Sequence, residues 1–181
     1  MTVPFDRVII IDWSARNSPS PATPSADAIW IGVASAEGQA CTYHRTRDGA
    51  ISALQDMLDT GLEQGLRMLV GFDFPFGYPR GFARAITGSD DPFVLWADLA
   101  GRIMDDAQNR TNRFAIAADL NRMFPGVGPF WGCPPGQITP DLPAKGIARQ
   151  GHGMAQRRAC EARLPSAQPV WKLFTTGSVG S

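Results

Sequence analysis

Two aspartates follow two similar apolar segments, and their type and position point most directly to chemistry. Residues 7–13 read RVIIIDW and residues 68–75 read MLVGFDFP, so Asp12 and Asp73 each come after a short run of strand-forming side chains. Two carboxylates held close together either share a proton or bind a divalent cation. Taken alone, each Asp is also explained as the side chain that caps the turn after its strand. The chemistry therefore depends on whether the fold brings the two strand ends together.

The first half of the chain predicts an α/β arrangement. Strands are predicted over residues 7–13, 28–34 and 40–45, a helix with Asp48 as its N-cap over 48–64, and a fourth strand over 67–72. A Pro- and Ser-rich loop, residues 14–27, separates the first two strands. Short connections favour an antiparallel meander of three strands, and the helix then acts as a crossover to the fourth strand.

This topology predicts that Asp12 and Asp73 lie at the same end of the sheet. In a meander the third strand runs parallel to the first, and a crossover helix returns the fourth strand parallel to both. If the fourth strand pairs with the first, the two Asp backbones are roughly 5 Å apart. If it pairs with the third strand, they are too distant to cooperate. The residues themselves leave both placements open.

The second half of the chain predicts helices separated by irregular segments. Asp91 followed by Pro92 is typical of an N-cap and first helical position, and predicts a helix to about residue 108. The further predicted elements are a helix over 111–123, a Gly/Pro-rich loop over 125–150, a short helix over 153–163 and a strand over 169–175. Long loops of this kind within a compact domain are usually functional or mobile.

Composition predicts a folded cytoplasmic protein. The chain has 181 residues, of which 44% are hydrophobic and 19% are charged, and no apolar run is long enough to span a membrane. The N-terminus lacks the pattern of a signal peptide, and the three scattered cysteines favour a reducing compartment over a structural zinc site. Residues 120–181 carry seven basic and two acidic side chains, which fits either a polyanion-binding face or pairing with the acidic remainder of the chain.

Several common site motifs are absent from the sequence. There is no GxxxxGK[ST] phosphate loop, no complete GxGxxG and no GxSxG, which excludes those nucleotide-binding and hydrolase signatures. The only histidines are His44 and His152, and the latter lies between two glycines, as in a loop. The terminal segment 177–181 is GSVGS, which fits either a phosphate cradle of backbone N–H groups or a flexible chain end.

Four short segments carry a resemblance to a known family: IIIDWSA, GFDFPFGYP, the run from Arg158 to Glu161, and WKLFTTG over 171–177. They resemble an uncharacterised bacterial family of predicted nucleases with a ribonuclease H-like fold. The resemblance implies a single domain over residues 1–181 and a mixed sheet of order 3-2-1-4-5, with the first three strands antiparallel and helices packed on it. It also implies that Asp12 and Asp73 are the first two catalytic aspartates and bind Mg²⁺ or Mn²⁺.

The resemblance implies a third catalytic carboxylate, which in such nucleases commonly lies on a C-terminal helix. Glu161 is the nearest candidate in this chain and Asp119 a weaker one. Glu161 is also explained as an ion pair with Arg158, three residues earlier. Because the chain stops after the last predicted strand, we expect the natural protein to extend past Ser181 and to supply the missing acid there.

The function predicted from these residues is a metal-dependent nuclease or phosphodiesterase acting on nucleic acid or another phosphodiester. Substrate contacts are predicted for Trp13, Ser14 and Arg158, and the aromatic residues near the site either stack on bases or pack internally: Trp13, Phe74, Phe76 and Tyr78. The alternatives are a non-catalytic ribonuclease H-like binding module and an actin-like or sugar-kinase-like nucleotide-binding protein. The last is disfavoured because residues 14–27 contain no glycine, whereas the corresponding loop of those proteins is short and Gly-rich.

Overall fold

The structure is a computed structural model that describes residues 4–164 and 166–174. The chain divides into two compact units. The first comprises the residues up to Phe74 together with Asp105–Thr111, and the second comprises Pro75–Met104 and the described residues from Asn112 onward. Each unit has its own hydrophobic core. In the part of the chain that is described, no helix combines the length and apolar character that a bilayer span requires.

The first unit contains an open mixed sheet. Its strands are β1 (Arg7–Asp12), β2 (Ile29–Ser35), β3 (Gly38–His44) and β4 (Met68–Phe72). The strand order is β3-β2-β1-β4, with β1 antiparallel to β2, β2 antiparallel to β3, and β1 parallel to β4. The fourth strand therefore pairs with the first and not with the third.

The predicted fifth strand is wrong for the described residues, whose sheet has four strands. The segment predicted as the last strand belongs to the second unit. Among the described residues of that segment, only Lys172 makes a β-bridge, with Trp131. Its side chains serve the aromatic core of that unit instead, since Trp171 is fully buried there. The final predicted residue of this strand, Thr175, lies outside the described residues, as does the Gly177–Ser181 segment.

Helix α1 (Arg47–Glu63) connects β3 to β4. Its N-cap is Thr46, whose Oγ1 accepts a hydrogen bond from the N–H of Gly49 at 3.2 Å, so the predicted cap at Asp48 is wrong. Asp48 instead lies in the first helical turn, where a negative charge is stabilised by the helix dipole. The helix ends at Glu63 with Gln64 as its C-cap, and Gly65 follows with a φ of 68°, a conformation that favours glycine.

Alternation along the strands divides the sheet into two unlike faces. The face toward α1 is aliphatic and buried. Its side chains Ile9, Ile11, Ile29 and Ile31 form one core cluster with Ala50 and Leu54 of α1. The opposite face, which we call the outer face, carries Val8, Ile10 and Asp12 from β1. Ile10 is 52% exposed, and small residues such as Gly32 and Ala34 help to line a shallow depression of about 460 Å³ there.

The second unit contains three short α-helices and otherwise irregular backbone. They are α2 (Phe82–Thr87), α3 (Pro92–Arg102) and α4 (Arg113–Asn121), with single 3-10 turns at Pro135–Gln137, Gly146–Ala148 and Glu161–Arg163. The predicted start of α3 is confirmed, because Asp91 caps it by accepting from the N–H of Phe93 at 2.8 Å. Helix α2 was not predicted, and the helix predicted over 153–163 is only the last of the 3-10 turns.

Helix α3 ends six residues earlier than predicted because an asparagine side chain competes for its terminal groups. Asn112 Nδ2 donates to the carbonyl of Arg102 at 3.0 Å, and Asn112 Oδ1 accepts from the N–H of Met104 at 2.8 Å. Short polar side chains stabilise non-helical backbone in this way. The helix predicted from residue 111 correspondingly begins at Arg113, after Asn112.

The core of the second unit is aromatic. The Trp171 ring is fully buried and lies 5.1 Å from the ring centroid of Phe82 and 5.2 Å from that of Phe130. Asn121, at the end of α4, fixes the Gly/Pro-rich loop beside this core. Its Nδ2 donates to the carbonyls of Phe130 and Asp141, and its Oδ1 accepts from the N–H of Phe130. The loop is thus ordered by a buried amide in place of regular secondary structure.

Candidate functional site

The ends of β1 and β4 place Asp12 and Asp73 side by side. The two strands pair in parallel up to Ile11 and Phe72, and the two aspartates are the next residues of each chain segment. The N–H of Asp73 donates to the carbonyl of Ile11 at 3.2 Å, which continues the pairing for one more residue. The N–H of Trp13 donates to Asp73 Oδ1 at 2.9 Å, which fixes the orientation of that carboxylate.

The electrostatics of Asp12 reflect this proximity. Its pKa is raised above the ordinary value for Asp, first by partial burial of the carboxyl, then by the charge of Asp73 and by a hydrogen bond between the two side chains. The side chain of Asp12 nevertheless remains exposed, so water and ions reach it. The arrangement can therefore share a proton between two carboxyls or bind a cation that neutralises them.

A third acidic residue, Asp27, contributes to this site and was missed by sequence reasoning. Its charge also raises the pKa of Asp12. Asp27 lies just before β2, and the antiparallel pairing of Trp30 with Asp12 returns the chain to the end of β1. Its carboxylate is held by Arg16, whose Nη1 lies 3.2 Å from Asp27 Oδ2. The antiparallel pairing of β1 with β2 would have identified it from the sequence, because in such a pair the start of β2 must lie beside the end of β1.

The acids near the end of β1 do not form a complete metal-ligand cage. Among the described residues, no group of three or more His, Cys, Asp or Glu side chains is arranged to hold a metal ion. Two carboxylates with the remaining positions filled by water is nevertheless a donor set that suits Mg²⁺, which keeps several waters when it binds to proteins. The residues present thus fit a weakly held, largely hydrated divalent cation.

Trp13 belongs to an aromatic cluster beside the acid pair. Its ring forms T-shaped contacts with the rings of Phe72 and Phe74, at centroid distances of 6.1 and 6.0 Å. The side chain is half-buried, so part of it remains accessible to a ligand. Tyr78, in contrast, packs within the core of the second unit against Phe82, at a centroid distance of 4.6 Å. Base stacking by Trp13 stays a prediction.

Ser14 is part of the scaffold of the loop that follows β1. It is only 5% exposed, and its Oγ accepts a hydrogen bond from the N–H of Arg16 at 3.4 Å. Its carbonyl accepts from Arg47 Nη1 at 3.2 Å. This leaves little of the Ser14 surface for the substrate contact that was predicted.

Arg47, at the first position of α1, fixes that loop through a buried guanidinium. All five of its side-chain N–H groups have acceptors: both carboxylate oxygens of Asp105 and the carbonyls of Ser14, Arg16 and Asn109. The Arg47 Nη2 to Asp105 Oδ1 distance is 2.6 Å. Because the loop follows directly from Asp12 and Trp13, this network limits the movement of the acid pair.

Glu161 and Arg158 lie in the second unit and pair with each other. Glu161 Oε1 accepts from Arg158 Nε at 2.9 Å and from Nη2 at 2.7 Å, and Oε2 accepts from the backbone N–H of Arg158 at 2.7 Å. Burial favours a higher pKa for Glu161, but the hydrogen bonds from Arg158 outweigh it and lower the pKa, so the carboxylate is ionised. The weaker candidate, Asp119, pairs with Arg122. A third catalytic role for either acid stays a prediction.

The two histidines have structural partners. His152 is buried and its Nδ1 accepts from the N–H of Met154 at 3.1 Å. Burial and, to a smaller extent, the charge of Arg149 lower the pKa of His152, which keeps the ring neutral. His44 Nε2 lies 2.9 Å from Thr42 Oγ1, and burial lowers its pKa as well. These contacts account for the positions of both imidazole rings.

Comparisons with known proteins do not place the chain in a family. No protein-family model matches it, and it matches no curated protein and no solved structure.

Proposed function

We propose that this chain is a metal-dependent phosphodiesterase or nuclease of ribonuclease H-like fold, in which Asp12 and Asp73 bind Mg²⁺ or Mn²⁺. The observation that supports this most strongly is the acid pair itself: two carboxyls on adjacent parallel strand ends, one of them with its pKa raised partly by the charge of the other. Such a pair is destabilising when both groups are ionised, and a bound cation removes the repulsion. The strand order β3-β2-β1-β4 is consistent with the proposed fold.

Each residue near the pair has a defined part in this proposal. A divalent cation supplies an activated water and stabilises the charge that develops on the phosphoryl group. Asp12 and Asp73 would hold it, and the N–H of Trp13 fixes the orientation of the Asp73 carboxylate. Asp27 acts on Asp12 through its charge and is held by Arg16, so it would add negative potential where the cation would bind.

A second candidate function is a binding module that keeps the same pair without turnover. It is favoured by one observation, namely that the described residues contain no group of three metal-ligating side chains. Such a module binds a cation and a phosphodiester but does not cleave it. Measuring binding and hydrolysis separately distinguishes the two.

The test of the proposal is titration calorimetry with Mn²⁺ on the wild type and on the variants Asp12→Asn and Asp73→Asn. Each substitution removes one negative charge at nearly constant volume, so we expect Mn²⁺ affinity to fall by more than about tenfold, equivalent to about 1.4 kcal/mol. The matched control is Asp56→Asn, which removes an exposed carboxylate from α1 and leaves Mn²⁺ binding unchanged. Unchanged affinity in both site variants contradicts the proposal.

Hydrolysis is measured in parallel with bis-p-nitrophenyl phosphate, single- and double-stranded DNA, and RNA. The enzyme proposal predicts Mn²⁺-dependent cleavage of at least one of them, lost in Asp12→Asn and retained in Asp56→Asn. Mn²⁺ binding that depends on Asp12 without any cleavage favours the binding module instead.

A further inference from the structure

A pocket of about 410 Å³ lies within the second unit, beside helices α2 and α3. A volume of this size is typical of small-ligand sites, whose walls are mostly apolar with a few polar groups that orient the ligand. The acid pair belongs to the first unit, so this pocket is a separate candidate site. Its walls include aromatic, aliphatic and charged side chains: Tyr78, Arg80, Ala83, Asp90, Leu95 and Trp96.

Trp96 connects the pocket to a cluster of exposed aromatic rings. Its ring stacks on that of Phe76, with centroids 5.8 Å apart and planes at 27°, and it makes a T-shaped contact with the ring of Phe93 at 5.6 Å. All three side chains are exposed, and Phe76 and Phe93 are at least half exposed. The Trp96 indole N–H donates to the carbonyl of Phe76 at 3.0 Å, which fixes the ring. The cluster therefore offers a planar ligand a preformed stacking surface.

Arg80 supplies a positive charge to the same pocket. Within the described part of the chain, its guanidinium makes no hydrogen bond and no salt bridge. The carboxylate nearby, Asp90, is held instead by Arg84, whose Nε donates to it at 3.0 Å. The pKa of Asp90 is lowered first by this hydrogen bond and least by the charge of Arg80. The three side chains thus carry one net positive charge, and the guanidinium of Arg80 is available to an anion.

The charge of the whole second unit favours a polyanion as the ligand. The unit contains eleven Lys and Arg residues and six Asp and Glu residues, a net charge of +5. A single strand of nucleic acid presents repeated phosphates to such a surface and unpaired bases to its aromatic rings, whereas the bases of a duplex are already stacked within the helix. Proteins that bind single strands combine these two features, positive charge and exposed aromatic side chains.

We propose that the pocket beside Trp96 binds single-stranded nucleic acid, with one base stacked on the exposed aromatic rings and an adjacent phosphate bound by Arg80. Arginine suits this contact because its planar guanidinium binds phosphate in a bidentate manner. Binding here does not depend on the proposed function, because the pocket uses neither Asp12 nor Asp73 and needs no metal ion.

The test is fluorescence anisotropy with labelled oligothymidylate and oligouridylate of about eight nucleotides, within the range of site sizes of single-strand-binding domains. EDTA is present, so the proposed cation site makes no contribution and its failure cannot be confused with failure of the pocket. We expect both single strands or one of them to bind, and a duplex of the same length to bind at least about tenfold more weakly because its bases cannot stack on the rings. Thymidine monophosphate, with a single phosphate, should compete poorly.

Two substitutions separate stacking from charge. Trp96→Leu should raise the dissociation constant of the strand about tenfold without changing its salt dependence, and Trp96→Phe, which keeps a ring, should retain most of the affinity. Arg80→Gln should reduce the slope of log affinity against log salt by about 0.7, the value for one phosphate contact of a single strand. The matched control is Arg163→Gln, which removes an exposed charge elsewhere in the same unit and leaves that slope unchanged.

A third substitution fills the pocket. Gly77 lines it, and a Cβ at this position would meet no atom within 4 Å, so the chain accommodates a larger side chain there. Gly77→Leu should therefore weaken binding at least as much as Trp96→Leu. The matched control is Gly101→Leu, at an equally open position of α3 outside the pocket, which should bind like the wild type. Thermal melts monitored by circular dichroism verify that every variant is folded.

Three results would overturn the proposal. The first is a wild type that binds neither single strand in EDTA. The second is a duplex or thymidine monophosphate that binds as tightly as the strand. The third is a pair of folded variants, Arg80→Gln and Trp96→Leu, that bind the strand with the affinity and salt dependence of the wild type.

Discussion

The two compact units reach stable cores by different means. In the first, small β-branched and aliphatic side chains alternate along strands, and the ladder of the sheet satisfies the backbone. In the second, large aromatic rings surround Trp171, and much of the backbone is irregular. There the backbone relies on single polar side chains such as Asn121, which makes three hydrogen bonds to two loop residues. The sheet thus satisfies its backbone through many equivalent hydrogen bonds, whereas the irregular backbone of the second unit depends on a few polar side chains.

The strongest test of this difference is removal of the ring at the centre of the aromatic core. Trp171→Ala leaves a large cavity among Phe82, Phe130 and Tyr78, and we expect the free energy of unfolding to fall by about 3–5 kcal/mol. Urea unfolding measures the loss, and hydrogen exchange locates it in the second unit. The control Phe93→Ala removes a ring that is 70% exposed and is expected to change stability by less than about 0.5 kcal/mol. Equal losses of stability in both variants would contradict a core centred on Trp171.

The irregular loop of the first unit also depends on one polar side chain, that of Arg47. Arg47→Lys keeps the charge but loses the planar set of donors that reaches Asp105 and three backbone carbonyls. We expect a loss of about 2–3 kcal/mol, measured by urea unfolding. The control is Arg84→Lys, in which the pair with Asp90 lies at the surface, and no change in stability is expected. An unchanged free energy of unfolding in Arg47→Lys would show that the loop after β1 holds its position without this network.

Regular elements with local periodicity were predictable. The four strands, α1 and the start of α3 all lie within a few residues of their predicted positions, because alternation, turn residues and the Asp91-Pro92 signal are local. The pairing of β4 with β1 is not local. It was expected only from the family resemblance, since the residues fit either edge.

The remaining features depend on contacts between residues distant in sequence. Arg47 meets Asp105 across 58 positions and Asn109 across 62, and nothing in their immediate sequence marks them as partners. The N-cap of α1 was misplaced because Thr46 and Asp48 are both good capping residues. The role of Asp27 was missed because it follows from the β1–β2 register and not from a motif.

Two titratable groups, one in each unit, predict opposite responses to pH. In the second unit the pKa of His152 is lowered by burial, so the unfolded chain binds more protons below about pH 6.5. The stabilising contribution of the neutral ring is therefore fully present above that pH and is lost as pH decreases through the lowered pKa of the folded state. Unfolding free energies at a series of pH values for the wild type and His152→Gln must show a smaller acid loss in the variant. An identical loss would assign the effect to other groups.

Asp12 in the first unit predicts a smaller effect of the reverse sign. Because its folded-state pKa is raised, the ionised pair destabilises the fold at neutral pH and the penalty disappears as pH falls through that pKa. In metal-free buffer Asp12→Asn should therefore be more stable than wild type at neutral pH, by less than about 1 kcal/mol because the group is exposed to solvent. The difference should vanish at acidic pH. If Asp12 acts only as a turn cap, the variant is instead less stable at neutral pH.

A crystal soaked in Mn²⁺ would decide whether the ends of β1 and β4 form a divalent cation site. An anomalous difference map should show a peak in contact with carboxylate oxygens of both Asp12 and Asp73, at about 2.0–2.2 Å, with waters completing the coordination shell. The peak should be absent from crystals of Asp12→Asn treated identically. A map without a peak at the pair, or a peak that persists in Asp12→Asn, would contradict the two-aspartate site.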